Sequence, residues 1–181
     1  MATKLKPKLD YDDYLRLPDD GKRYEILDGE LYVTPAPSQI HQRVSKRLQR
    51  KLEDYFEARG LGEVFNAPID MILGRHDVAQ PDILVVTDPG QISGRGIEGA
   101  PLLVVEVLSL STRRHDRELK MRRYAALAIP HYWIVDPVGK SIVCHRLERD
   151  AYRQTLTGEG DTQLGPPDWP DLTIPLADLW R

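Results

Sequence analysis

Leu102-Leu103-Val104-Val105-Glu106-Val107-Leu108 is the stretch on which the fold turns. Strand alternation sets Leu102, Val104, Glu106 and Leu108 on one face and Leu103, Val105 and Val107 on the other. Both faces are apolar apart from Glu106, so the segment reads as a central strand covered on both sides. Downstream, a helix is expected from about Arg113 to Ala128, closed by Ile129-Pro130, and His131 to Val135 is again strand-like. Strand, helix, strand implies a parallel crossover. Asp136-Pro137-Val138-Gly139 is turn chemistry, after which Ser141 to Leu147 and Tyr152 to Leu156 extend the sheet with antiparallel strands.

Upstream, Glu63 to Asn66, Pro68 to Leu73 and Asp82 to Val86 also read as strands. Arg23 to Leu27 and Glu30 to Thr34 flank Asp28-Gly29, a dipeptide suited to a two-residue type I′ hairpin turn. From Ser38, a plausible N-cap, Ile40, Val44, Leu48, Leu52, Tyr55 and Phe56 recur at helical spacing up to Arg59-Gly60. A shorter helix is expected over Tyr11 to Leu17. The Gly- and Pro-rich segments Asp88 to Gly99 and Gly158 to Pro170 read as a loop and a tail. The expected fold class is α/β, a mixed β-sheet flanked by α-helices.

The chain has 181 residues, enough for one domain with its own core, and a formal net charge of −3, so any polyanion must meet a local basic patch. Cys144 is the single cysteine, which excludes an intrachain disulfide and fits a reducing compartment. No apolar run approaches the roughly 20 residues that span a bilayer, so no membrane partner is expected and the location is read as cytoplasmic.

Glu106 is the most informative residue, because a carboxylate in a strand buried on both faces needs a cationic partner. A structural ion pair and a functional site are equally good explanations of it. Asp82 follows Pro81 at the entry of Ile83-Leu84-Val85-Val86; alone it is an ordinary strand-entry carboxylate. Two such acids on neighbouring strands would share a cation, and Mg²⁺ (or Mn²⁺) favours one or two carboxylates with water and phosphate oxygens completing its shell. Asp116, Lys120 and Tyr124 repeat every four residues along one helical stripe. Lys120 there either supplies a fixed charge beside the acids or forms an exposed pair with Asp116. Arg113, Arg114 and Arg117 belong to the densest basic stretch and are candidates for phosphate contact. His41 sits on the apolar side of the long helix, as a core residue or as a support to the site. Tyr132 and Trp133 alternate along a strand and are expected in or near the core.

Taken in order, Tyr24-Glu25-Ile26-Leu27-Asp28-Gly29-Glu30-Leu31, His41, Pro81-Asp82, Val104 to Ser109, Asp116, Lys120, Tyr124 and Pro130-His131-Tyr132-Trp133-Ile134-Val135-Asp136-Pro137 resemble the Uma-two family of putative restriction endonucleases. The resemblance runs from about Asp10 to Leu156 and places the chain in the PD-(D/E)XK superfamily. It implies a restriction-endonuclease-like core over residues 1–156, with residues 157–181 as a tail packed on the same domain. It further implies Asp82 and Glu106 as metal ligands, Glu25 as an additional acid near the metal, Lys120 as the catalytic lysine and DNA as substrate. A lysine is usual two residues after the Glu; here that position is Leu108, so Lys120 must reach the site from the following helix. Leu110 stands where Pro is frequent, and Ala128 where Gly is usual. Two other readings stay open: a catalytically inactive nuclease-fold module that binds nucleic acid or protein, and a structural interaction protein. A homodimer is expected only from the frequency of two-fold symmetry.

Overall fold

Asp28 and Gly29 both take positive φ, 53° and 79°, and fold the first two strands into a hairpin. β1 (Arg23–Leu27) and β2 (Glu30–Thr34) pair in register from Arg23 against Thr34 to Leu27 against Glu30, as Asp-Gly turn chemistry predicts. This is seen in a computed structural model that describes residues 7–109 and 115–181, residues 115 and 116 by their backbone. A short helix α1 (Tyr11–Tyr14) precedes the hairpin and is started by a capping box between Asp10 and Asp13.

The long helix α2 (Gln39–Phe56) starts where expected, with the Ser38 side chain accepting from the His41 amide. β3 (Glu63–Asn66), β4 (Met71–Gly74), β5 (Asp77–Ala79) and β6 (Ile83–Val86) follow. The segment expected as a loop instead carries a small hairpin, β7 (Ile92–Ser93) and β8 (Gly96–Glu98). Strands of two and three residues are too short to show alternation, and their glycines read as loop. β9 (Leu103–Val107) is followed by a π-helical turn over His115–Lys120, which runs into α3 (Met121–Ala126). β10 (His131–Asp136), β11 (Ser141–Glu148) and β12 (Ala151–Glu159) complete the main strands. The Gly158 to Pro170 segment also holds β13 (Gln163–Leu164), which pairs with β14 (Ile174–Pro175) ahead of α4 (Ala177–Trp180).

The strands form two mixed sheets where one was expected. One has the order β2-β1-β5-β4-β8-β7, the other β12-β11-β10-β9-β6-β3. β9 lies inside the second sheet, parallel to β10 and antiparallel to β6, so the expected parallel crossover is present. Alternation along β9 divides the core. Leu103, Val105 and Val107 pack with Val44, Leu48 and Leu52 of α2, and the C-terminal Leu172, Ile174, Leu176 and Leu179 join the same cluster. Val104 and Leu108 face the opposite way, into a second cluster with Leu27 and Met71 of the first sheet and Tyr124 of α3. Glu106 shares that second face.

α3 ends in a Schellman arrangement. Ala128 takes φ 60°, its amide bonds to the Ala125 carbonyl at 3.0 Å, and the Ile129 amide reaches the Tyr124 carbonyl at 3.1 Å. Ala128, standing where Gly is usual, is therefore a left-handed residue carrying a β-carbon. Among the described residues, no helix is long and apolar enough to cross a membrane.

Candidate active site

β6 and β9 pair with Ile83 opposite Val105 and Leu84 opposite Val104. Carrying that antiparallel register one residue further sets Asp82 across from Glu106, on the face turned toward α3 and the first sheet. The carboxylates are only 5% and 3% exposed. A direct bond ties the two strand ends together: the Val107 amide donates to Asp82 Oδ2 at 2.8 Å.

β1 enters from the other sheet and brings Glu25, which is 1% exposed. The lysine arrives from the end of the π-helical turn. Lys120 Nζ donates to Glu106 Oε1 at 2.9 Å and to Glu25 Oε1 at 3.0 Å. Four residues on, the Tyr124 hydroxyl donates to the same Glu106 oxygen at 3.1 Å. The Lys120–Tyr124 stripe thus faces the acids, and Lys120 is buried rather than set on an exposed face. A π-helical turn hydrogen-bonds at i→i+5 and shifts the phase of the helix that follows, a device frequent at functional sites.

Asp82 is held from three directions. His41 Nε2 lies 3.0 Å from Oδ2, the Val107 amide reaches the same oxygen, and Arg23 Nη1 lies 3.3 Å from Oδ1. Burial pushes its carboxyl up, but the hydrogen bond and charge of His41, the Val107 amide and Arg23 outweigh it and hold the group below the ordinary carboxylate range. His41 is both a buried helix residue and a direct partner of Asp82. Its Nδ1 is buried without a hydrogen-bond partner, as is Glu25 Oε2.

Glu25, Asp82, Glu106, Lys120, His41 and Arg23 line one cavity of about 630 Å³. The arrangement sets three carboxyl groups beside two basic side chains, Lys120 and Arg23, in a largely dehydrated space. Such a site can hold a hard cation, fix a water and offset charge developing on a phosphoryl group. Among the described residues, no group of three or more His, Cys, Asp and Glu side chains is arranged to hold a metal ion by itself.

Two residues that hydrogen-bond the acids, Arg23 and Gln80, are not among the site candidates read from the sequence. Arg23 was legible, because strand alternation puts it on the face of Glu25, two residues away. Gln80 carried no signal; its amide donates to Glu25 Oε1 at 2.9 Å and its side chain reaches Asp70 Oδ1 at 2.8 Å. Arg117 is not among the cavity residues; its guanidinium is 3.6 Å from Asp136. Arg113 and Arg114 lie outside the described residues, as does the side chain of Asp116.

Residues 11–177 match the model of the family Uma2, described as "Putative restriction endonuclease". The chain belongs to the Uma2 family. A curated relative, the uncharacterised protein slr1290 of Synechocystis sp., is 32% identical over 121 residues, which is 66% of this chain and 63% of that protein. The chain thus spans less than two thirds of that relative's length. Among solved structures, a crystal structure described as a putative nuclease belonging to DUF820 from Anabaena variabilis superposes with a TM-score of 0.77 at 17% identity. The match covers 95% of this chain and 97% of that one. The Uma2 chain therefore has the restriction-endonuclease-like fold, and its site is read on its own geometry.

Proposed function

We propose that this Uma2 protein is a metal-dependent endonuclease that hydrolyses phosphodiester bonds in DNA. One observation supports this above the others: Lys120, Glu106 and Glu25 are linked through the lysine ammonium at 2.9 and 3.0 Å, in the cavity that Asp82 also lines. The donor set suits Mg²⁺ or Mn²⁺, because its ligating atoms are carboxylate oxygens and Glu25 Oε2 is buried with no hydrogen bond. Asp82, Glu106 and Glu25 are the residues that would hold the ion. When bound, such an ion acidifies a water and neutralises charge on the phosphate.

The other side chains divide the remaining work. Lys120 places a fixed positive charge beside Glu106, where it offsets negative charge building on the phosphoryl oxygens and helps to orient the attacking water. Tyr124 restricts the rotation of Glu106 by donating to the oxygen that Lys120 also uses. His41, Arg23 and the Val107 amide keep Asp82 ionised and aimed. Burial strengthens each of these electrostatic effects.

Incubation with single- and double-stranded DNA in Mg²⁺ or Mn²⁺ tests the reading. Cleavage products are expected, and Lys120→Ala or Glu106→Ala should reduce the rate by at least about a hundredfold. No products with either metal, or cleavage unaffected by both substitutions, would refute hydrolysis. A non-catalytic nucleic-acid-binding module is the second reading, favoured by the three hydrogen bonds that Asp82 already accepts.

A further inference from the structure

A second hollow, of about 960 Å³, runs on from the carboxylate cavity and shares Arg23, Pro37, His41, Gln80 and Asp82 with it. One wall is the polar side of α2. Gln42, Lys46 and Arg50 line it at four-residue intervals, about 6 Å apart along the helix axis. The neighbouring stripe of the helix is committed elsewhere. Arg47 donates to the Leu179 and Arg181 carbonyls, and Lys51 pairs with Asp178 at 3.3 Å. Lys46 and Arg50, both exposed, form no ion pair among the described residues. Both line the hollow, whose wall also carries the acids Asp19 and Glu53.

The carboxylate cavity has a different upper wall, made of Pro35, Ala36, Pro37, Ile40, Pro137 and Val138. Ile40 and Val138 are 47% and 69% exposed there. An apolar wall beside a carboxylate floor suits a nucleobase next to its own phosphate. No Phe, Tyr or Trp lines either hollow among the described residues, so the contact is not a stacking platform.

Depth decides between nucleic-acid forms. Glu25, Asp82, Glu106 and Lys120 are between 1% and 5% exposed at the bottom of the cavity. A duplex is stiff, with a persistence length of about 50 nm, and carries its phosphates on the outside of a rod too wide for such a hollow. A single strand bends and splays its bases, so its backbone can descend to the acids. We infer that the two joined hollows take an unpaired polynucleotide strand, with backbone phosphates on Lys46 and Arg50 and an unstacked nucleotide against the Pro35–Pro37 and Val138 wall. This rests on the nuclease reading of the cavity and specifies its substrate as single-stranded or locally unpaired.

Fluorescence anisotropy of a labelled mixed-sequence oligodeoxynucleotide, single-stranded or annealed to its complement, in Ca²⁺ over a salt series, tests the inference. The single strand is expected to bind about tenfold or more tighter than the duplex. A Lys46→Ala/Arg50→Ala variant should lower single-strand affinity about tenfold or more and reduce the salt slope by about 1.4, at roughly 0.7 per lost phosphate contact. Arg43→Ala, an exposed cation of α2 outside the hollow, should leave affinity within about twofold. Duplex binding as tight as the single strand, a double variant that binds like the parent, or an equal loss in Arg43→Ala would each overturn it. Cleavage is read separately in Mg²⁺ and Mn²⁺. Strand binding as expected without cleavage sinks hydrolysis and leaves the strand path standing.

Discussion

Lys120 Nζ lies 2.9 Å from Glu106 Oε1 although the two residues come from different elements, a strand inside one sheet and the end of a π-helical turn. The same ammonium reaches Glu25, from the other sheet, at 3.0 Å. One buried cation thus joins carboxylates from the two sheets.

Lys120→Met should consequently destabilise the protein by about 3 to 5 kcal/mol, because it leaves two buried carboxylates facing each other without their shared cation. Urea denaturation at neutral pH measures the loss. Mg²⁺ should recover part of it, since a divalent ion offsets the exposed repulsion. A loss below about 1 kcal/mol would mean that the lysine is not the glue between the acids.

Ala128 offers a change of opposite sign. Its φ of 60° costs an alanine conformational energy that a glycine does not pay, and its amide already serves the Schellman bond. Ala128→Gly should raise stability by about 1 kcal/mol, read as an increase in thermal midpoint, with activity unchanged. A fall in the midpoint would show that chain entropy outweighs the relieved strain.

Acid should weaken the fold through two imidazoles. Burial lowers the pKa of His131, assisted by Arg146 and opposed by Asp168, and burial lowers that of His145 against the Tyr132 carbonyl. Because the folded values lie below the unfolded one, the contribution is complete above the ordinary histidine value of 6.5 and disappears as pH falls through the folded values. Denaturant midpoints should therefore decline as pH falls below the ordinary histidine range, and His145→Gln should make that decline shallower. A slope identical in the variant would exclude His145 as a contributor.

Removal of divalent ions bears on the acids directly. Isothermal titration should show Mg²⁺ or Mn²⁺ binding that Asp82→Asn or Glu106→Gln weakens about tenfold or more. Heat signals that are equal in parent and variants would place any bound ion elsewhere.

Much of this was legible along the chain, for uneven reasons. The Asp28-Gly29 hairpin, α2 and β9 stood out because turn chemistry and periodicity are local properties. Glu106 was visible as a charge set in an apolar strand. The position of Asp82 opposite it depends on the β6–β9 register, which no local pattern encodes. Four-residue spacing puts Lys120 and Tyr124 on one stripe, but spacing alone favours an exposed pair with Asp116, and only the docked helix turns Lys120 and Tyr124 toward Glu106. The division into two sheets hinged on β5, β7 and β8, each of three residues or fewer. The arginines of the dense basic stretch drew attention by count alone, yet the described cations lining the hollow beside the site are Lys22, Arg23, Lys46 and Arg50.

The bond from the Val107 amide to Asp82 turns one backbone proton into a resident reporter. Any ligand that draws the aspartate toward itself must stretch or release that 2.8 Å contact. In a nitrogen-15 correlation spectrum, the cross-peak of Val107 should move before any side chain is labelled. The molecule thereby announces occupancy of its acids through the strand that carries them.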